Sequence, residues 1–181
     1  MNPAPNLVLV GPMGAGKSSI GRRLAARLGL TFVDADHEVE RLTGVDIPTI
    51  FACEGEAGFR ARERSVLATL MAAHGTVVAT GGGAVLDAET RAGLAARGFV
   101  VHLHADVAQQ LQRLVRDHRR PLLAVGDRPA ALRALAAVRD PLYAAVADLR
   151  FETGNQPAAD AAAQLGQQLE RLWQRTADPS P

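Results

Sequence analysis

The sequence predicts a three-layer α/β/α fold built around a five-stranded parallel sheet. Short aliphatic runs alternate with longer helical patterns along the 181 residues, and this alternation is typical of parallel strands covered by helices on both faces. The connections are short, as they are in compact domains, and the length suits a single domain with a full core. We therefore expect one domain over residues 1–175 and a flexible tail over 176–181, which holds two prolines and no periodicity.

Each element is assigned from its hydrophobic pattern. The strands are predicted at the aliphatic runs 7–10, 31–33, 76–79, 99–103 and 149–152. The helices are predicted at 17–28, 36–43, 57–74, 88–97, 107–117, 130–146 and 158–175. Residues 116–128 interrupt this rhythm because they are rich in arginine and contain Pro121 and Gly126, so we expect a mobile lid there.

The charge balance and the cysteine content exclude several classes of protein. The chain has 20 Lys plus Arg against 19 Asp plus Glu, a formal net charge of +1, which argues against a general nucleic-acid or membrane-surface binder. Cys53 is the one cysteine, so no internal disulfide can form. No apolar run approaches the roughly 18 to 20 residues that cross a bilayer. We expect a cytoplasmic protein, a monomer, whose partners are small molecules.

A phosphate-binding loop directly follows the first predicted strand. Residues 11–18 read GPMGAGKS, a complete G-x-x-x-x-G-K-[ST] motif, whose backbone N–H groups and following helix N-terminus suit an anion. Lys17 is expected to reach the β and γ phosphates, and the Ser18 hydroxyl to ligate Mg²⁺. Lys17 is the only lysine, so the guanine-reading Asn-Lys-x-Asp element is absent and ATP is favoured. The expected ATP contacts in this segment are Gly14, Ala15, Gly16, Lys17, Ser18 and Ser19.

Two further groups of residues follow the ends of other predicted strands. Asp34 and Asp36 are two apart, so in an extended chain they face the same side; one could hold hydrated Mg²⁺ and the other could meet an acceptor hydroxyl. Alternatively, either aspartate could be the N-cap of the next helix, and this interpretation is favoured more for Asp36 than for Asp34. Residues 81–83 are three glycines whose backbone a substrate could approach closely. Ligands of open α/β sheets bind beyond the carboxyl ends of the strands, so these groups should converge with the phosphate loop.

Six segments in order along the chain form a recognisable pattern: Gly11-x-Met13-Gly14-x-Gly16-Lys17-Ser18, Phe32-x-Asp34-x-Asp36, Ile50-Phe51-x-x-x-Gly55-Glu56-x-x-Phe59-Arg60-x-x-Glu63, Thr80-Gly81-Gly82-Gly83, Arg120-Pro121-Leu122-Leu123 and Arg139-x-Pro141-x-Tyr143. Together they resemble one enzyme family, the shikimate kinases, which use ATP to phosphorylate the 3-hydroxyl of shikimate in chorismate and aromatic amino-acid biosynthesis. The resemblance implies a P-loop, nucleoside-monophosphate-kinase-like fold and an ATP- and Mg²⁺-dependent phosphotransferase.

The resemblance also implies a role for each matching side chain on the acceptor side. Asp36 would bind the shikimate hydroxyls and accept the proton of the attacking one, while Asp34 would contribute to the Mg²⁺ environment. Arg60 and Arg139 would grip the substrate carboxylate, which the planar guanidinium can pair in a bidentate manner. Gly82 would add a backbone N–H.

Two further assignments concern the nucleotide. Arg120, in the predicted lid, would act on the transferring phosphate together with Lys17, in the manner of an arginine finger supplied in cis. Gln156, after the last strand, would contact adenine. A gluconate kinase-like enzyme and a catalytically silent nucleotide-binding module are the alternatives. The pair Arg60 and Arg139 is expected to discriminate against the first, and the acceptor-side residues together with Arg120 against the second.

The pair His102 and His104 lies on one face of a predicted strand. Two imidazoles could begin a metal site, but no third ligand is evident in the sequence. We expect both side chains to pack.

Overall fold

The computed structural model describes residues 2–114 and 127–175. Its strands are β1 (Asn2–Ala4), β2 (Asn6–Val10), β3 (Thr31–Asp34), β4 (Thr76–Ala79), β5 (Gly98–His104), β6 (Leu149–Glu152) and β7 (Trp173–Arg175). Its helices are α1 (Lys17–Leu28), α2 (Ala35–Thr43), α3 (Ile47–Ala72), α4 (Ala88–Arg97), α5 (Val107–Leu114), α6 (Arg128–Val146) and α7 (Ala158–Leu172). A short 3₁₀ helix covers Ala84–Leu86.

The central sheet has five parallel strands in the order β3-β4-β2-β5-β6. The strand β2 lies at its centre, where Val8 pairs with Val78 of β4 and with Val100 of β5. All five strands of this sheet were predicted, and the predicted three-layer fold is confirmed. Because all strands run in the same direction, the segments that follow β2, β3 and β4 all leave from one edge of the sheet.

Two apolar cores cover the two faces of the sheet. Along β2, Leu7 and Leu9 pack into the core on the side of α1 and α7, while Val8 and Val10 pack into the core on the side of α2, α3, α4 and α6. Each of these four side chains is completely buried. Burial on both faces is the reason that β2 reads as a continuous aliphatic run instead of an alternating pattern.

The helix α3 begins earlier than the sequence predicted, at Ile47 and not at residue 57. Asp46 caps it, since its carboxylate accepts a hydrogen bond from the Thr49 N–H at 2.9 Å, and Pro48 occupies the first turn. Both are helix-start signals that the sequence carries. The predicted start lies just after a real break, because Gly55 has φ 71° and ψ −176° and kinks the helix.

The second difference is a two-stranded parallel sheet that was not predicted. The last helix was expected to reach residue 175, but α7 ends at Leu172 and β7 pairs with β1 near the amino terminus. The Trp173 indole N–H donates to the Ala4 carbonyl at 2.9 Å, which joins the two strands, and both side chains belong to the core on the side of α1 and α7. The predicted tail and residues 116–126 of the predicted lid lie outside the described residues. In the described ranges, no helix is long and apolar enough to cross a membrane.

Candidate active site

A cavity of about 1050 Å³ lies at the carboxyl edge of the central sheet. It is lined by the phosphate loop, by the segments after β3 and β4, and by side chains of α3 and α6. The predicted residues that line it are Gly14, Gly16, Lys17, Ser18, Ser19, Asp34, Asp36, Arg60, Gly82 and Arg139. The convergence expected from the strand ends is therefore present.

The phosphate loop curls tightly between β2 and α1. Gly11 has φ 143°, and a side chain there would collide with the Leu103 carbonyl of β5. Gly16, with φ 88°, is the N-cap of α1 and offers no side chain to the first N–H groups of the helix, which leaves them for an anion. The Lys17 ammonium donates to the carbonyls of Gly11 at 2.7 Å and Pro12 at 2.9 Å, so it bridges the loop that it follows.

Asp34 connects the phosphate loop to α2. Its Oδ2 accepts a hydrogen bond from the Ser18 hydroxyl. Its Oδ1 accepts from the backbone N–H groups of Asp36 at 3.1 Å and His37 at 3.5 Å, so Asp34 is the N-cap of α2. The sequence favoured Asp36 as the cap, and this was wrong because the helix begins at Ala35, one residue earlier than predicted. Asp36 lies in the first turn and lines the cavity instead.

The three glycines after β4 lie against acidic and basic side chains from other elements. A Cβ on Gly81 would collide with Glu63 Oε1 and would lie 2.9 Å from Asp36 Oδ1. A Cβ on Gly83 would collide with the guanidinium of Arg60. The absence of side chains on residues 81–83 is therefore what lets Asp36, Glu63 and Arg60 approach this backbone.

Arg60 is held by two carboxylates of its own helix. Its Nη1 donates to Glu63 Oε2 at 2.6 Å, and its Nε and Nη2 donate to Glu56 Oε1 at 3.3 and 3.1 Å. The Glu63 side chain is 3% exposed, and this burial raises the pKa of its carboxyl above the usual range, although Arg60 opposes the shift. Within the described part of the chain, Glu63 Oε1 has no hydrogen-bond partner. Glu63 was noticed in the sequence only as part of a motif and was not assigned to the site.

Arg139 approaches the same glycines from a different helix. It lies on α6 and is 5% exposed, and its Nη1 would be 3.5 Å from a Cβ on Gly82. One turn later on α6, the Tyr143 hydroxyl donates to the Gly82 carbonyl. Arg60 thus lies against Gly83 and Arg139 against Gly82, and both line the cavity.

The geometry joins a phosphate loop to an acceptor region that has two guanidiniums, and comparison with known proteins agrees with it. The shikimate kinase family model matches residues 13–170. The chain belongs to the shikimate kinase family. The shikimate kinase of Stenotrophomonas maltophilia (strain R551-3) is 57% identical over 175 residues, covering 97% of each chain. That of Xanthomonas oryzae pv. oryzae (strain PXO99A) is 54% identical over 180 residues, covering 99% of this chain and 100% of its own.

A solved structure of the same family has the same fold. The shikimate kinase from Acinetobacter baumannii in complex with shikimate gives a TM-score of 0.91 at 49% identity, covering 94% of this chain and 95% of that one. The shikimate kinase of Aquifex aeolicus gives 0.79 at 30% identity. The five-stranded P-loop architecture of the family is therefore the architecture of this chain.

In this shikimate kinase fold, one further arginine contacts the predicted phosphate loop, and it was not singled out in the sequence. Arg113, near the end of α5, donates to the Gly14 carbonyl at 2.8 Å, to Thr153 Oγ1 at 3.1 Å and to the Gly154 carbonyl. It joins the phosphate loop to the loop after β6. The sequence signal is weak, because Arg113 belongs to no motif. Gln156, which was expected to contact adenine, is partly exposed and does not line the cavity.

Other expected residues lie elsewhere or are not described. Arg120 lies outside the described residues.

The two histidines of β5 have different surroundings. His102 is 1% exposed. Burial is the main reason that its pKa is lowered to about 4, and the charge of the nearby His104 contributes. His104 Nδ1 lies 2.6 Å from Glu152 Oε2. Across residues 2–114 and 127–175, no group of three or more His, Cys, Asp or Glu could hold a metal ion.

Proposed function

We propose that this chain transfers the γ-phosphoryl group of ATP to the 3-hydroxyl of shikimate, giving shikimate 3-phosphate and ADP. The observation that carries the proposal is the placement of Arg60 and Arg139 against residues 81–83, in the cavity that the phosphate loop also lines. A phosphate loop alone indicates a nucleotide. Two guanidiniums in the same cavity favour an acceptor that carries a carboxylate, as shikimate does.

The nucleotide half of the site is proposed to bind ATP through its backbone and Lys17. The N–H groups of residues 14–19 would surround the phosphates at the N-terminus of α1. Lys17 donates to two loop carbonyls, so its ammonium is already held within the loop, where it can meet the β and γ phosphates. We propose that Gln156 and Arg113 lie beside the adenine of ATP. Of the two, Arg113 contacts the phosphate loop, through the Gly14 carbonyl.

The donor atoms beside Lys17 fit a magnesium ion. The Ser18 hydroxyl contacts the Asp34 carboxylate, and both are the hard oxygen ligands that Mg²⁺ takes. Mg²⁺ usually keeps several waters and needs few protein ligands, so a site without a cluster of acidic residues suits it. When bound with ATP, Mg²⁺ neutralises charge on the β and γ phosphates. Ser18 and Asp34 would hold it, Asp34 directly or through water.

Asp36 is proposed to orient the acceptor hydroxyl and to accept its proton. It lies beside Gly81 on the side that faces the cavity. Phosphoryl transfer passes through a loose transition state, so orientation and electrostatic stabilisation contribute more than a strong base. Asp36 would therefore act first by holding the hydroxyl in line and second by taking the proton once the bond to phosphorus forms.

Arg120 is proposed to stabilise the transferring phosphoryl group from the lid at 116–128. Arginines in this role contribute about 10³- to 10⁵-fold in rate. Closure of the segment would exclude water, which otherwise competes with the acceptor hydroxyl. We also propose that the enzyme acts as a monomer in the cytoplasm.

The test is a coupled ADP-release assay with ATP and Mg²⁺ that compares shikimate, quinate and gluconate. We expect turnover with shikimate well above the blank without acceptor. Turnover with gluconate alone would favour a gluconate kinase-like enzyme. Nucleotide binding without turnover of any acceptor would favour a silent nucleotide-binding module.

A further inference from the structure

Tyr143 is completely buried beneath the acceptor half of the cavity. It is the only tyrosine of the chain. Its hydroxyl donates a hydrogen bond to the Gly82 carbonyl. Burial raises the pKa of this phenol above its usual value of 10, so the hydroxyl keeps its proton and remains a donor over the whole range in which the enzyme can be assayed.

The same hydroxyl also meets Arg139. The two residues are four apart on α6 and therefore share one helix face. A Cβ on Gly82 would lie 3.5 Å from Arg139 Nη1 and 3.6 Å from the Tyr143 hydroxyl, so the guanidinium and the phenol approach the same glycine. The hydroxyl thus donates to the Gly82 carbonyl and lies beside the guanidinium of Arg139 at the same glycine.

The ring of Tyr143 is fixed from below by the central sheet. The imidazole of His102 packs against it, with ring centroids 4.9 Å apart and an angle of 35° between the planes. Within the described residues, neither ring nitrogen of His102 has a hydrogen-bond partner. Because its pKa is lowered to about 4, the imidazole is neutral at neutral pH and packs as a flat aromatic surface. The phenol hydroxyl therefore has a position that is set by β5.

The glycines need such a support because they have no side chains of their own to hold them. The hydrogen bonds of this turn include those from the Ala84 N–H to the Gly81 carbonyl at 3.2 Å and from the Leu86 N–H to the Gly83 carbonyl at 3.0 Å. The carbonyl between these two, on Gly82, is the one that Tyr143 binds. Fixing this carbonyl restricts rotation at Gly82, which glycine would otherwise permit.

We propose that Tyr143 is a positioning residue for the acceptor, because its hydroxyl sets the distance and orientation between the Arg139 guanidinium and the Gly82 backbone. This inference rests on the proposed function, in which both groups bind shikimate. The substrate carboxylate would then meet a guanidinium and a backbone that are aligned before it arrives, which lowers the ordering cost of binding. The phosphate loop is held by Lys17 and Arg113 instead, so ATP binding should not depend on Tyr143.

The first experiment is Tyr143→Phe, which removes one oxygen and keeps the ring that packs on His102. We expect the KM for shikimate to rise about tenfold, as for a lost buried hydrogen bond, while the KM for ATP stays within about twofold. A matched control is Trp173→Phe, which loses one buried hydrogen bond, to Ala4, far from the cavity. The control should lower Tm and leave both KM values unchanged.

The second experiment uses the wild-type protein labelled with ¹³C at Cζ of tyrosine, which gives a single resonance because the chain has one tyrosine. We expect the resonance to shift when shikimate is added, since Arg139 then shares its charge with the carboxylate. Addition of ADP and Mg²⁺ alone should leave it in place. An unshifted resonance with shikimate would overturn the proposal without requiring any variant to fold.

The outcomes separate this inference from the proposed function. If the wild type does not turn over shikimate, the proposed function fails. If the wild type turns it over and Tyr143→Phe has an unchanged KM for shikimate, only the positioning role fails. A parallel rise in the KM values for ATP and shikimate would also overturn it, because that result indicates a general structural role.

Discussion

Replacing Asp34 should separate the two functions that its two carboxylate oxygens serve. One oxygen caps α2 by accepting from the N–H groups of Asp36 and His37. The other accepts from the Ser18 hydroxyl, where Mg²⁺ is proposed to bind. Asparagine caps helices about as well as aspartate, and its amide can exchange a hydrogen bond with a hydroxyl, but it has no charge for a metal ion. Alanine loses both functions.

The expected stability losses follow from these contacts. Asp34→Ala should cost about 1 kcal/mol for the cap and about 1 kcal/mol for the bond from Ser18, and about 2 kcal/mol lowers Tm by roughly 4 to 8 °C in a chain of this size. Asp34→Asn should lose only the favourable charge at the helix N-terminus, about 0.5 kcal/mol, which is roughly 1 to 2 °C. Both variants should need about 10- to 100-fold more Mg²⁺ for half-maximal activity.

The assay combines thermal unfolding with Mg²⁺ titration of ADP release in the presence of shikimate. Asp87→Ala is a matched control, because Asp87 caps α4 by accepting from the Thr90 N–H at 2.7 Å and does not line the cavity. The control should lower Tm and leave the Mg²⁺ requirement unchanged. Equal losses of Tm in Asp34→Asn and Asp34→Ala would refute the capping argument. A wild-type Mg²⁺ requirement in Asp34→Asn would refute the metal assignment.

Three further substitutions test other parts of the site. Lys17→Arg should reduce kcat about 100-fold or more with little change in Tm. The reason is that a guanidinium does not fit where the ammonium donates to two loop carbonyls at 2.7 and 2.9 Å. Near-normal ATP turnover would contradict this. Arg139→Ala should raise the KM for shikimate about 10- to 100-fold and leave that for ATP unchanged, whereas equal increases would argue against a carboxylate contact. Glu63→Gln should become more stable relative to the wild type as pH rises. Burial raises the pKa of Glu63 above its ordinary 4.5, so the folded wild type holds that proton more tightly and loses stability as pH rises through the raised value. Tm values of both proteins at pH 5 to 8 check the sign, and a trend in favour of the wild type would contradict it.

The fold was predictable because its elements carry strong local signals. The strands β2 and β5 are buried on both faces and mostly apolar, and the phosphate loop combines glycines, Lys17 and Ser18 in a motif with a fixed position before a helix. The edge of a parallel sheet at which loops converge follows from strand direction alone. The placement of Asp34, Asp36 and the three glycines in one cavity could therefore be predicted without coordinates.

The remainder depends on contacts between residues far apart in the chain. The pairing of β1 with β7 joins Asn2–Ala4 to Trp173–Arg175, and three residues are too few to show a strand pattern. Tyr143 and Gly82 are 61 positions apart, so only the fold brings the hydroxyl to that carbonyl. The cap was considered at Asp36 before Asp34, whereas Asp34 is the N-cap, because helix boundaries inferred from sequence are uncertain by a residue or more.

The identity of the product is the strictest test of phosphoryl transfer to the 3-hydroxyl of shikimate. The purified protein is incubated with ATP, Mg²⁺ and shikimate, and a ¹H–³¹P correlation spectrum of the mixture shows which ring proton couples to the transferred phosphorus. We expect a single new phosphate ester that is coupled to the proton on C3 of shikimate, formed together with ADP. Coupling to a different ring carbon, or release of ADP with inorganic phosphate as the only other product, would contradict it.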